Sequence, residues 1–334
     1  MIRLRTDPLA APSWGRLALV TGLLLAPPVT AREPLLNQPI DCTLGVDCYI
    51  QSFVDHDDAP AASQDFQCGV ASRDDHRGTD FALPTIAAMK AGVDVVAAAP
   101  GVVRGTRDGV RDAIYGSEGA PNIDGRECGN GVAIDHGSGW STQYCHLAEG
   151  SVAVKTGARV AKGAVLGKVG LSGKTTFPHL HLDVRHHGKI VDPFDPQGAE
   201  TCGPADRDLW QVDLPYAPGG LIRIGVAPSA PDYDAVKDGA YSATRLSRRA
   251  PALILWAHLF HGQPGDQVQM DMSGPNRFVL STTQELTRAQ EQLMRFSGRK
   301  LRGDAWAEGT YQGTVTLLRN GTALDTASLS FTLE

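Results

Sequence analysis

The sequence predicts an all-β protein, a sandwich- or barrel-like domain over residues 67–204 followed by an immunoglobulin-like β domain over 205–334. Three observations carry this. Short runs rich in Val, Ile and Thr recur at even spacing with glycine between them, the pattern of a sandwich or barrel. The stretch Phe177-Pro178-His179-Leu180-His181-Leu182-Asp183-Val184 alternates polar and apolar residues with period two. On a strand, His179, His181 and Asp183 then share one face and Leu180, Leu182 and Val184 the other. Aromatic content is low, at 6%, as suits β structure built on Val, Thr and Gly.

Taken in order, Arg3, Arg5 and Arg16 precede an apolar run over 17–26, then Pro27-Pro28-Val29-Thr30-Ala31. A basic flank, a short apolar core and small residues read as a secretory signal peptide over 1–31, cut after Ala31. The run is short for a membrane span and is broken by two prolines. Export, to the periplasm or outside the cell, is the expectation. Residues 32–66 form a leader with little periodicity. Within it, Asp55-His56-Asp57-Asp58 resembles a metal cluster, but four consecutive side chains cannot face one ion, so a solvated turn is expected.

Six cysteines suit disulfides in an oxidising compartment. Cys42 and Cys48 are close enough to close a small loop, and Cys128 and Cys145 bracket a hairpin. Cys68 and Cys202 remain and would tie the first domain's start to its end. There is no Cys-x-x-Cys, which argues against a cysteine metal site. A net charge of −6 gives no reason to expect a nucleic-acid partner.

Strands are expected at 94–98, 101–105, 131–136, 140–146 and within 160–169, with Gly137-Ser138-Gly139 turning between two of them. Residues 107–127 read as a long loop flanking a groove. Gly173-Lys174-Thr175 matches the end of a phosphate-binding loop. That motif needs glycine where Lys168 stands, and a strand follows instead of a helix, so nucleotide binding is rejected. Pro193, Pro196, Gly198 and Gly203-Pro204 close the domain. In the second domain strands are expected at 221–226, 252–257, 313–318 and 328–333, with Asn320-Gly321 as a hairpin turn. Residues 284–296 fit either a helix by propensity or a polar-faced strand. His258 and His261 lie beside apolar residues and read as structural.

The chemistry lies in the first domain. His76 stands four residues before Asp80, and alone this pair suits a surface cap or ion pair as well as a ligand pair. Together with His146, His179 and His181 it makes five candidates in one domain. Three ligands of the His/carboxylate type with a place left for water are what catalytic zinc requires. Further histidines can move protons and stabilise an oxyanion near neutral pH. No His-Glu-x-x-His helix is present, so the glutamate base of that class is absent.

His76-x-Gly78-x-Asp80, then Tyr144-Cys145-His146-Leu147, then Gly170-Leu171-Ser172-Gly173 leading into Pro178-His179-Leu180-His181 resemble the three motifs of the LytM/lysostaphin-type zinc metalloendopeptidases. The resemblance covers about residues 68–196. It implies an antiparallel β core with a narrow groove. It also implies one Zn2+ held by His76, Asp80 and His181, catalytic roles for His146 and His179, and bacterial cell-wall peptidoglycan as the substrate. The residues alone leave open which imidazole of His-x-His is the ligand, and Asp183 suits an outer partner or a solvent-facing carboxylate equally.

Two departures from the pattern stand out. Phe177 occupies a place usually held by a small residue and would narrow or reshape the groove. Cys145 stands where alanine is common, and a Cys128–Cys145 bridge would stiffen the strand carrying His146. The alternative function is a non-catalytic relative that binds the wall or activates another hydrolase. Such relatives are expected to lose ligands, and all five positions are intact here. An enzyme secreted against foreign cells is a third reading. Peptidoglycan is the expected partner, with no nucleic acid and no membrane after signal cleavage. The second domain suits a positioning module or a brace.

Overall fold

Residues 33–198, 202–203 and 207–334 are described by a computed structural model. The signal-peptide expectation for 1–31 lies outside them. The first half supplies β1 (Tyr49–Ser52), β2 (Thr79–Ala82), β3 (Asp94–Val96), β4 (Gly101–Arg107), β5 (Asn130–Gly137), β6 (Trp140–Leu147), β7 (Arg159–Val160), β8 (Val165–Lys168), β9 (His179–His186) and β10 (Lys189–Ile190). The central sheet runs in the order β1-β2-β9-β6-β5-β4-β7, with β10 folding back on β9 and β3 pairing β8 apart from it. Its pairings are antiparallel.

The alternation at 179–184 does what period two requires. Leu180, Leu182 and Val184 are buried in a core with Phe53, Phe81, Tyr144 and Leu147. His179 and His181 are left on the opposite face. Residues 108–129 form no regular element between β4 and β5, as the long-loop reading expected.

The second half supplies β11 (Gly220–Ala227), β12 (Arg245–Leu246), β13 (Ala252–Gly262), β14 (Gln267–Gly274), β15 (Phe278–Glu285), β16 (Gln290–Lys300), β17 (Gly309–Arg319) and β18 (Thr322–Leu333). They form a three-stranded sheet β11-β13-β16 and a five-stranded sheet β12-β18-β17-β14-β15. Between the two sheets lie Leu253, Leu255 and Leu259 of β13, Val268 and Met270 of β14, and Val315 and Leu317 of β17. Residues 284–296 are strand at both ends, not helix. β16 pairs with β13 along its length and buries Leu293 in that core, so tertiary pairing overrides the local helix preference of Gln, Glu and Leu.

Two six-residue helices interrupt the β structure, α1 (Ile86–Ala91) and α2 (Tyr233–Asp238). Each starts on a side-chain cap, Thr85 accepting from the Ala88 N–H and Asp232 from the Ala235 N–H. The disulfides are Cys42–Cys48, Cys68–Cys202 and Cys128–Cys145, the pairing read from the spacing.

β13 and β16 pack against β1. Tyr49 lies against Phe260 with ring centroids 4.8 Å apart. His261 donates from Nε2 to the Gln51 carbonyl. Gln292 donates to the Tyr49 hydroxyl at 3.1 Å, and Gln51 donates to the Glu291 carbonyl at 3.3 Å. Edge strand β1 is thereby covered, which removes an open edge.

Gly78, just before β2, is required by contact. A Cβ there would sit 2.5 Å from the Leu182 carbonyl oxygen and 2.8 Å from His181 Nε2. Gly78→Ala is therefore expected to force β2 and β9 apart, with a loss of about 1–3 kcal/mol in urea unfolding, the scale of overpacking.

His258 of β13 is buried beside Tyr233, with no hydrogen-bond partner on Nδ1. Burial pulls it down from 6.5 to about 4. Between those two values the unfolded chain binds a proton that the folded chain refuses. Its contribution to stability is thus whole above pH 6.5 and is lost as pH falls toward 4. Unfolding free energy should fall across that window, with His258 accounting for up to about 3 kcal/mol. His258→Phe should flatten the corresponding part of the profile.

Candidate functional site

The pairing of β2 with β9 sets Asp80 directly opposite His181. His76, in the loop entering β2, comes down on the same point. His181 Nδ1 lies 2.7 Å from Asp80 Oδ1, His76 Nε2 3.1 Å from the same oxygen, and the two ring nitrogens are 3.2 Å apart. Three donor atoms thus form a small triangle and are mutually close enough to hold one metal ion. Ligands about 2.0–2.1 Å from a tetrahedral zinc are about 3.3 Å from one another, so this triangle is a slightly contracted form of such a set. Among the described residues the other grouping of this type, Cys42, Asp47 and Cys48, has its sulfurs joined in a disulfide.

Each imidazole is oriented by its outward nitrogen. His76 donates from Nδ1 to the Phe53 carbonyl at 2.6 Å. His181 donates from Nε2 to Asp183 at 2.8 Å, and Arg185 fixes the other oxygen of Asp183 at 2.5 Å. Asp183 is thus an outer partner of His181 and not a solvent-facing carboxylate. Such bonds set the tautomer and leave the inner nitrogen bare toward the centre.

His179 and His146 follow the same rule. His179 donates from Nδ1 to the Phe177 carbonyl at 3.0 Å, while its buried Nε2 has no hydrogen-bond partner and lies 3.5 Å from Asp80 Oδ1. His146 donates from Nδ1 to the Ser172 carbonyl at 2.8 Å, and its ring centroid is 4.7 Å from that of His179. His146 also has a left-handed backbone, with φ 63°. That conformation is costly for a residue with a Cβ and persists only where its surroundings impose it. Here they do. The His146 N–H donates to the Cys128 carbonyl at 2.8 Å, its carbonyl accepts from Gly170 N–H at 2.9 Å, and Cys145 is bonded to Cys128.

The electrostatics are those of a buried cation site. Burial alone would raise the Asp80 carboxyl, but His76, His179, Arg73 and His181 outweigh it and hold it well below the usual range. Burial pulls His181 down, yet Asp80 and Asp183 raise it to about 9. A positive charge between Asp80 and His181 is therefore favoured, whether a proton or a metal ion occupies the place. Burial lowers His179 to about 4 and His146 well below its ordinary value. Both are neutral near pH 7, with their Nε2 lone pairs available.

The centre opens on a groove of about 700 Å³, walled by Tyr115 and Glu127 of the long loop, by Lys174 and Phe177, and by Arg73 and Glu291. Phe177 stacks on His179 at 4.5 Å, so its bulk does shape the groove beside that imidazole. All five residues singled out from the sequence are brought together. Arg73 and Glu291 were not anticipated, for neither belongs to a motif and Glu291 comes from the other end of the chain. The Asp55–Asp58 stretch is irregular chain that precedes a turn at 60–61, and it is not merely solvated. Asp55 accepts from the N–H groups of Asp57, Gln64 and Asp75, and His56 pairs with buried Asp192 at 2.8 Å.

Residues 74–193 match the model of Peptidase family M23. The chain is 33% identical over 117 residues to the peptidoglycan DD-endopeptidase ShyA of Vibrio cholerae, a match covering 35% of this chain and 22% of that protein. It is 34% identical over 120 residues to the DD-carboxypeptidase/endopeptidase Mpg of Neisseria meningitidis, with the same two coverages of 35% and 22%. The match thus spans about a fifth of the length of these relatives. A crystal structure of a zinc-containing peptidase from Vibrio cholerae aligns with 48% of this chain and 39% of its own, at 27% identity and a TM-score of 0.33. The motifs quoted from the sequence, the β2–β9 register that joins them and the family match converge on one statement: residues 74–193 of this chain form a Peptidase family M23 domain.

Proposed function

We propose that this protein is an exported, zinc-dependent metalloendopeptidase that hydrolyses peptide bonds in bacterial cell-wall peptidoglycan, at stem peptides or cross-links. The observation that carries the reading is the triangle of His76 Nε2, Asp80 Oδ1 and His181 Nδ1 at the floor of an open groove, with two more neutral imidazoles beside it. The match to a peptidoglycan DD-endopeptidase supports the substrate class. The three disulfides support an oxidising compartment.

His76, Asp80 and His181 would hold the metal. Zinc in such a place polarises a carbonyl and makes water more acidic. The protein's own part is proton transfer and orientation. With Nδ1–H committed to a backbone carbonyl, His146 and His179 each present only an acceptor at Nε2. Either can take a proton from an attacking water there. Once protonated, the same atom is a donor, to the tetrahedral oxyanion or to the departing amine. Depressed basicity from burial keeps both imidazoles unprotonated at the start of a turnover. Arg185 and Asp183 hold the His181 ring in place.

Purified mature protein is expected to contain one zinc per chain and to release muropeptide fragments identifiable by mass spectrometry. His181→Ala should lose both metal and activity. His146→Ala should keep the metal and lose about 10²–10⁴-fold in turnover, the scale of a general base. Zinc-loaded protein that releases no fragment, yet stimulates a second wall hydrolase, would overturn the peptidase reading in favour of an activator.

A further inference from the structure

We propose that Arg73 and Glu291 are positioning residues for the metal centre, so that strand β16 of the C-terminal sandwich completes the outer shell of a site on the N-terminal sheet. The inference rests on the metal-site reading above. Asp80 has no exposed surface, and its two oxygens face different ways. Oδ1 meets His76 and His181, while Oδ2 accepts from Arg73 Nη2 at 2.9 Å. Arg73 thereby sets the rotation of the carboxylate and presents Oδ1 alone to the cation. The same guanidinium donates to Ser52 Oγ at 3.3 Å from Nη1, and Glu291 Oε1 lies 3.6 Å from that nitrogen.

Charge explains why a second carboxylate belongs there. A guanidinium beside a metal ligand orients it but also repels the incoming dication. Glu291 offsets that repulsion from the far side of Arg73. Its place is not accidental, because β16 is pinned to β1 at Glu291 itself and at the next residue. Gln51 donates to the Glu291 carbonyl, and Gln292 donates to the Tyr49 hydroxyl and to Gln51 Oε1 at 3.3 Å. Glu291 and Arg73 also both line the groove, so the arrangement stands at the mouth of the site.

The test is zinc affinity of the full mature chain, measured by competition with a chromophoric chelator, with thermal melts confirming that each variant is folded. Arg73→Ala should weaken zinc binding about 10–100-fold, as loss of an outer partner does in metal sites. Arg73→Lys should restore part of the loss, since a point charge reaches Asp80 but cannot span three partners. Glu291→Gln should weaken binding about two- to fivefold, the scale of a half-exposed ion pair. In the double variant the Glu291 effect should vanish, because it acts through Arg73. Wild-type affinity in folded Arg73→Ala would overturn the proposal, and so would a Glu291→Gln loss that persists without Arg73. Wild-type protein that binds no zinc would overturn the metal-site reading itself. Zinc-loaded wild type that cuts no wall peptide would count against the peptidase reading alone.

Discussion

A carboxylate with no exposed surface must have its charge answered inside the protein, and Asp80 is that carboxylate. Nearly every feature of the site is a response to it. His76, His181 and Arg73 touch it directly, and His179 stands a little further off. Around these, Phe53, Ser172 and Phe177 offer backbone carbonyls and Asp183 a second carboxylate, so that no ring turns away. A buried charge in so many fixed contacts costs stability unless all its partners are present. The sheet register that sets Asp80 opposite His181 is therefore as much part of the chemistry as the side chains.

Much of this was legible in the sequence because period two is a strict rule. The His-x-His alternation identified which face of β9 would be polar before any partner was known, and glycine and hairpin punctuation placed most strands. The spacing of the cysteines sufficed for the disulfides. What stayed hidden depends on long-range pairing. Glu291 sits in a segment whose local composition suits a helix, and only the ladder with β13 makes it a strand. Arg73 carries no motif, and its importance appears only once Asp80 Oδ2 is seen to need a donor. The choice within His-x-His is likewise geometric. Both inner nitrogens approach Asp80 Oδ1, but His181 at 2.7 Å is closer than His179 at 3.5 Å. His56 looked solvated because its partner, Asp192, is far away in the chain.

The two halves meet through polar groups as well as rings. Gln51 alone bonds three ways across the junction, to His261, Glu291 and Gln292. A brace needs only burial, whereas this junction fixes the register of a strand that ends up at the groove. The sequence offered two roles for the second half, positioning module or brace. The geometry favours a more intimate one, with the downstream sandwich bordering the same groove as the histidines.

The Cys128–Cys145 bond joins the loop that walls the groove to the residue before His146, whose backbone is held in a conformation it would not choose. Cutting that bond removes no hydrogen bond of the β5–β6 or β6–β9 ladders. It releases the tether on the strained residue and on the wall together. One covalent link thus ties the shape of the groove wall to the backbone of an imidazole that faces it.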